Sequence, residues 1–400
     1  MNRIIFHVDV NSAYLSWTSV ENLRTGSGSD LRDIPAVIGG DERCRRGVVL
    51  TKSIPAKAFG IRTGEPVMSA RKKCPELTIV PPNHQLYSEY SRRLMDFLHS
   101  LTPDIEQVSI DECYLDFTGI SHLYPSPAAA AEEFKNEIYR RLGFTVNIGI
   151  SSNKLLAKMA SDFEKPNKAH TLFPEEISRK MWPLPVDELF MAGRSSVDTL
   201  HKLGIRTIGE LAAADVLLLE SHLKSHGRIL WEYANGLDET PVNPLPAEAK
   251  GIGNSTTLPQ DAVTAAEAYA VLLELSESVS SRLRKARQLA GNICVEIKYS
   301  TFQRVSHQMP ADSPINTCEG IYRISRRLFD SLWDGAPIRL LGIRASKLIP
   351  DDTPIQLSIF DLENPKTEKE KRLDAALDSI RQKFGKDAVM RGSSLKPPRT

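Results

Sequence analysis

The chain has no apolar run approaching the roughly 18 residues that would cross a bilayer. Its short apolar start, "MNRIIFHVDV", is broken by His7 and Asp9, so neither a secretory leader nor a membrane association is expected. Cysteine is sparse. Its five copies (Cys44, Cys74, Cys113, Cys294 and Cys318) form no C-x-x-C pair and no framework spacing. That argues against a disulfide scaffold and a zinc site, and for reduced thiols in a cytoplasmic protein. Net charge is scarce as well: 51 Lys and Arg against 50 Asp and Glu leave +1, too little to coat nucleic acid by charge alone. No low-complexity tract and no repeat of fixed period marks the 400 residues, a length that implies about two to four domains.

What charge there is lies unevenly. Residues 280–349 hold twelve bases, among them Arg282, Arg304, Arg339 and Arg344, against five acids. One module is therefore basic, as a phosphate-backbone binder is, although a solvated basic face has the same composition. Patterning places strands at 3–10 and 144–150. It places helices at 12–24 (with Ser12 as N-cap), 84–100, 126–142 and 152–163. Residues 104–117 read as two strands joined by a tight bend near 109–111. With 25–80 set aside as an insertion carrying a short strand, "GVVLT" at 47–51, the order is β-α-ββ-α-β, the split ferredoxin-like pattern. Residues 184–237 read as all-helical, with a helix–turn–helix at 200–212, and 238–250 is a Pro-rich linker. Beyond it come strand 252–258, helix 262–286, strands 292–299 and 304–308, helix 317–333 and strand 338–348, the same succession again. The tail contains "QLSIF" at 356–360 and a charged helix at 366–384.

"VSIDECYLDF" (108–117) sets Asp111 and Glu112 side by side in an apolar stretch. Neighbours on a strand point to opposite faces, so one acid would enter the core, where an unpaired carboxylate is costly. A bend resolves the conflict by bringing both acids to the sheet's edge. In a split βαβ sheet Asp9, at the end of the first strand, meets them there. Three carboxylates this close cannot all ionise alone, but hard oxygens are what Mg²⁺ takes. Two metals about 4 Å apart would clamp the attacking and leaving oxygens of an in-line phosphoryl transfer. On this reading Asp9 and Asp111 bridge the metals, Glu112 binds the metal that activates the nucleophile, and the Val10 carbonyl adds an oxygen. The competing reading is a bend with two solvated acids.

"HVDVNSAY" (7–14), "SIDECYLDF" (109–117), "NIGISSNKLLAKMASDFEKPN" (147–167) and "KLGIRTIGEL" (202–211) occur in this order. Together they resemble the Y-family translesion DNA polymerases, in the layout of the bacterial polymerase IV type. "DVNSAY" has features of both the polymerase IV-like and polymerase V-like subgroups. The resemblance implies an α+β multidomain, right-hand polymerase. Its parts would be a ferredoxin-like palm (1–10 and 81–166), small fingers (11–80), a helical thumb with a helix–hairpin–helix (167–237), a linker (238–250), a ferredoxin-like little-finger domain (251–349) and a tail (350–400). It also implies low-fidelity, template-directed transfer of a nucleotide from a dNTP to a primer 3′-OH, without proofreading, using two Mg²⁺ ions for which Mn²⁺ substitutes.

By the same resemblance Lys165 is the triphosphate lysine, Thr51 a phosphate-holding hydroxyl, and Lys57 stands where an arginine is usual. The usual tyrosine–acid–alanine–arginine run is here Ile54-Pro55-Ala56-Lys57; lysine lacks the guanidinium fork and Ile54 a hydroxyl. Tyr14 matches the steric gate against a 2′-OH, beside Ala13 where the family has a second aromatic, and Tyr114 packs beneath the site. Gly193, Lys202 and Gly204 belong to the helix–hairpin–helix, whose amides bind DNA phosphates; its loop has one glycine where two are common. Arg282, Arg304, Arg339 and Arg344 would serve the little finger along the duplex. Gln356, Leu357, Ile359 and Phe360 resemble a peptide that docks on the bacterial sliding clamp. The implied partners are primer–template DNA, dNTP and the clamp, with the chain a monomer. A polymerase-shaped adaptor that binds DNA and clamp without catalysis is the alternative. A nucleotide cyclase on the same palm topology fits the thumb and the basic module less well.

Overall fold

A computed structural model describes residues 3–40, 47–245, 248–354, 365–385 and 388–389. The "QLSIF" segment lies outside these residues. They form two compact units, one ending and the other beginning within the Pro-rich stretch 238–250.

In the first unit β1 (Ile5–Val10) leads into α1 (Ala13–Thr25). The next segment holds β2 (Ala36–Gly39), β3 (Val49–Lys52), α2 (Ile54–Ala58), α3 (Val67–Lys73) and β4 (Thr78–Val80). Then come α4 (His84–His99), β5 (Ile105–Gln107), β6 (Glu112–Asp116), α5 (Pro127–Leu142), β7 (Val146–Ser151), α6 (Lys154–Asp162) and β8 (Ala169–Thr171). Short helices follow: α7 (Ile177–Lys180), α8 (Arg194–Lys202), α9 (Ile208–Ala212), α10 (Val216–Leu223) and α11 (Ser225–Ala234).

The main sheet runs β5-β6-β1-β7-β8. It is antiparallel except at β8, which lies parallel to β7 and was not foreseen. β1 is central, and its alternation decides what each face receives. Phe6, Val8 and Val10 enter the main core with Trp17, Phe117 and Phe134. Ile5, His7 and Asp9 point to the other face, where Ile5 meets Tyr114 and Ala157 of α6. Gly149 makes that face possible: a Cβ there would collide with the Ala157 carbonyl oxygen and stand 2.5 Å from the Ser161 nitrogen. Only glycine lets α6 lie this close to the sheet.

The insertion, part of the first unit, has a small sheet and core of its own. Its sheet runs β3-β2-β4 over a core of Val37, Val49, Ile61, Val67 and Leu77. The Ile54–Lys57 run is the first turn of α2, with Ser53 as N-cap accepting the Ala56 N–H at 3.1 Å. Ser12 does stand at the start of α1, but at φ 48 and with no capping bond. Its hydroxyl donates instead to the Lys52 carbonyl (3.2 Å), tying α1 to β3. In the helical segment Gly204 turns at φ 83, and the Ile205 N–H then reaches back to the Leu200 carbonyl at 3.0 Å.

The second unit contains β9 (Gly251–Ala262), α12 (Ala265–Lys285), β10 (Gln288–Tyr299), β11 (Arg304–Ile315), α13 (Cys318–Leu332), β12 (Ile338–Pro350) and α14 (Pro365–Phe384). The expected succession is there, but the antiparallel sheet runs β11-β10-β12-β9. In the first unit the third strand of the succession lies between the two strands that the first helix joins; here the last strand does. The hairpin pinned at Lys298 and Arg304 keeps β11 at the outer edge and leaves the other side of β10 to β12. α12 and α13 cover one face through Leu272, Val279, Ile321 and Phe329. α14 attaches by charge: Asp374 accepts the Cys318 N–H at 2.8 Å and pairs with Arg284 at 3.1 Å, Asp378 pairs with Arg284 at 2.7 Å, and Arg381 pairs with Glu277 at 3.2 Å. Among the described residues no helix is long and apolar enough to cross a membrane.

Candidate active site

Register places Asp9 directly opposite Glu112 across β1 and β6, so both carboxylates leave the face that α6 covers. Asp111 ends the bend before β6. Its carbonyl accepts the Val10 N–H at 3.0 Å, and its carboxylate accepts the Ser109 hydroxyl at 2.6 Å. The adjacent acids are thus separated by the pleat, as a strand requires, while the bend returns Asp111 to the end of β1. Burial raises the Asp111 carboxyl above its ordinary range; the neighbouring Asp9 and Glu112 charges push the same way.

Two lysines of the 147–167 motif neutralise the other acids. The Lys165 ammonium pairs with Asp9 and, at 2.8 Å, with Asp162. Lys158 pairs with Glu112 at 3.1 Å and with Asp162 at 3.4 Å. A hydrogen bond from buried His7, with its Nε2 at 3.5 Å, and the Lys158 charge hold Glu112 down at about 2. Burial keeps His7 below its ordinary value. Its Nδ1 lies 2.9 Å from the Ser161 hydroxyl, which is also 2.8 Å from the Lys158 carbonyl. One hydroxyl hydrogen cannot serve both acceptors, so the ring tautomer and the Ser161 rotamer are coupled.

Among the described residues no three His, Cys, Asp or Glu side chains stand gathered as a ready-made metal cage, because each of these carboxylates is already turned toward its own donor. The donor set itself fits a hard divalent cation: three carboxylates and a backbone carbonyl, all oxygen, drawing positive charge from two ammonium groups.

Beside the acids opens a cavity of about 450 Å³. Val10, Thr51, Lys57 and Lys165 line it, and so does Lys52. Tyr14 is not among its lining residues. Its ring stacks on Tyr87 (centroids 4.3 Å apart, planes 6° apart), and burial, then Asp111, raises its hydroxyl. Tyr114 is buried under β1, 4.8 Å from the His7 ring, with the Lys154 ammonium 4.9 Å from its centroid. The sequence reading passed over His7, Lys158, Asp162 and Lys52. The first interrupts an apolar strand, and the next two sit one turn apart on α6, signals that a search for cations beside the acids would have used.

Gly193 precedes α8, where no side chain caps the helix, and Lys202 is exposed in its last turn. In the second unit Arg344 is exposed on the open face of the sheet, level with Cys294, Gln308 and Gly253. The other arginines expected at DNA already have partners. Arg282 donates to the Gly253 carbonyl (2.7 Å), Arg304 pairs with Glu296 (3.0 Å), and Arg339 lies 4.8 Å from the Phe302 ring centre. Arg284 serves α14 and Arg326 stacks on Tyr269 (4.1 Å), so the twelve bases do not share one face. Gln356, Leu357, Ile359 and Phe360 lie outside the described residues.

Comparison with known proteins agrees with this architecture. Residues 8–162 match the impB/mucB/samB family and residues 249–359 its C-terminal domain. A DNA polymerase IV of Clostridium acetobutylicum is 46% identical over 395 residues, covering 99% of both chains. One from Alkaliphilus oremlandii is 36% identical over 406 residues, covering 99% of this chain and 100% of its own. Among solved structures, a Y-family DNA polymerase chimera superposes with a TM-score of 0.75 at 24% identity, covering 87% of this chain and 99% of its own, a likeness of fold. With both family models matched and relatives this similar aligned from end to end, the chain belongs to the impB/mucB/samB family of Y-family DNA polymerases, DNA-directed enzymes of translesion synthesis.

Proposed function

We propose that the Asp9, Asp111 and Glu112 corner is the catalytic centre of a nucleotidyl transfer. In this reaction a primer 3′-oxygen attacks the α-phosphorus of a dNTP and pyrophosphate leaves. The observation that carries the reading is the register of Asp9 opposite Glu112, with the Asp111 carbonyl bonded to the Val10 N–H. Asp9, Asp111, Glu112 and the Val10 carbonyl would hold two Mg²⁺ ions, or Mn²⁺ in their place. When bound, such ions polarise the α-phosphate and lower the pKa of the attacking hydroxyl.

The chain's own groups do the rest. Lys165 exchanges Asp9 for the nucleotide's phosphates. Thr51 and Lys57, on the wall of the cavity, hold the triphosphate. Tyr14, pinned by Tyr87, stands as the gate against a 2′-hydroxyl. In this reading the main sheet is the palm, the insertion the fingers, the helices beyond β8 the thumb and the second unit the little finger. Fingers with a three-stranded sheet grip a nascent pair loosely, which favours damaged templates and low fidelity. The uncapped amides after Gly193, the Gly204 turn with Lys202, and the open sheet face around Arg344 bear on DNA phosphates, while Arg282, Arg304 and Arg339 must first leave their partners. The "QLSIF" peptide, by its sequence, docks on a sliding clamp, with Leu357, Ile359 and Phe360 as apolar anchors beside Gln356.

Extension of a primer across an abasic template site, with Mg²⁺ and with and without clamp, tests this reading. Asp111→Ala plus Glu112→Ala abolishes extension while DNA binding persists. Extension that survives the double change refutes the assignment, and a wild type that binds DNA and clamp without extending returns the adaptor.

A further inference from the structure

The cavity beside the acids contains a cation that no part of this reaction has yet used. Lys52 closes β3, next to Thr51, and lines the cavity with Lys57, Thr63 and Lys165. Its backbone is fixed from two sides: it pairs with Val37 of β2, and its carbonyl takes the Ser12 hydroxyl at 3.2 Å. Among the described residues its ammonium has only the Thr63 hydroxyl as a hydrogen-bond partner, at 3.4 Å. Lys73, Lys158 and Lys165 each have a carboxylate in contact. Among the described residues, Lys52 and Lys57 have none. Burial, and then the charge of Lys57, hold Lys52 below its ordinary value. Two ammonium groups thus line one cavity and repel each other, a cost that the Glu65 carboxylate offsets only in part and that an incoming anion would relieve further.

A run starting at Ile54 supplies no tyrosine hydroxyl, and Lys57 supplies a point charge in place of a guanidinium fork. A second ammonium one strand residue beyond Thr51 restores the missing donors. We infer that Lys52 is a phosphate-binding residue that, with Lys57, grips the terminal phosphates of the incoming nucleotide and sets the preference for a triphosphate over a diphosphate. The inference rests on the polymerase reading of this site.

The test is single-nucleotide incorporation on primer–template DNA with Mg²⁺, paired with inhibition by the matching dNDP. A charge-assisted contact of this kind is worth roughly tenfold or more in binding. Lys52→Ala is therefore expected to raise KM for dNTP by about that factor, with most of the loss in KM and little in kcat. It should also weaken dNTP more than dNDP, narrowing the ratio between them. Lys52→Arg keeps the charge and should stay close to wild type in both, which a merely structural role at the end of β3 would not grant. An unchanged KM in Lys52→Ala, an unchanged dNTP-to-dNDP ratio, or Lys52→Arg failing as badly as alanine overturns the inference. A wild type inactive on DNA overturns the polymerase reading and this inference with it. Activity that needs Asp111 but ignores Lys52 overturns the inference alone.

Discussion

Glu112→Gln should destabilise the main sheet, and the size follows from its partners. The carboxyl is held at about 2 against an ordinary 4.5, a gap that corresponds to about 3 kcal/mol at neutral pH. Two features reduce it. The side chain is 25% exposed, and the His7 contact is long at 3.5 Å, so about 2 kcal/mol is the working figure. A depressed carboxylate pKa contributes stability that is complete above 4.5 and lost as pH falls toward 2. Hydrogen exchange of the β1 and β6 peptides, read by mass spectrometry in EDTA, measures it. At pH 7 Glu112→Gln should speed exchange there by about 30-fold, and at pH 3 the gap should shrink to under half. Asp111→Asn should act oppositely at pH 7, because burial raises that carboxyl and its ionised form strains the fold. Equal protection in Glu112→Gln and wild type at pH 7, or a gap of the same size at pH 3, would refute the electrostatic account and leave only packing.

Gly149→Ala should fail to give soluble, folded protein, since the new Cβ collides with α6 backbone that cannot step aside; soluble expression and near-ultraviolet circular dichroism decide. Arg284→Ala removes the guanidinium that joins Asp374, which is 4% exposed, and Asp378 to the domain, and should weaken the seat of α14 by about 3 kcal/mol. Limited proteolysis should then cut α14 early while β10 and β12 stay protected. Tyr14→Ala should lower the preference for dCTP over CTP by about 100-fold, a steric constraint being lost; competitive incorporation of the two nucleotides reads it, and an unchanged ratio would move the gate elsewhere.

The parts of the fold legible in the sequence are those where one local period decides. Phe6, Val8 and Val10 alternate with Ile5, His7 and Asp9, and both the strand and its acid end follow. The bend at 109–111 was legible because two adjacent acids in an apolar stretch call for a turn that brings both to an open edge or for cations that neutralise them, and the chain supplies both. β2, β4 and β8, with four, three and three residues, carry no period of their own and exist only because a neighbour pairs with them. The strand order of the second unit is set by which side of β10 the hairpin leaves free, a choice made by register. α14 read only as a charged helix, with no seat assigned, because its charges are the attachment: Asp374, Asp378 and Arg381 bind the domain, while Leu373, Ile380 and Phe384 stay exposed.

The site was legible from the residues as a set of acids, while its cations, beyond the Lys165 and Lys57 that the resemblance supplied, stayed hidden, for a physical reason. Acids at the end of a buried strand look anomalous; lysines on a helix or at a strand end look ordinary. Yet three acids that repel one another can face one corner only if the chain supplies counter-charge. Here it comes from α6 and the segment after it, where Asp162 holds Lys158 and Lys165 together between Glu112 and Asp9. That sharing matters for turnover. A lysine with two carboxylate partners can give up one for a phosphate without its own charge being left bare, so Lys165 can pass from Asp9 to a nucleotide while Asp162 still steadies it. Asp162→Asn should therefore raise the Lys165–Asp9 attraction and the KM for dNTP together. If it lowered KM instead, Asp162 would be a competitor for Lys165 and the sharing argument would be wrong.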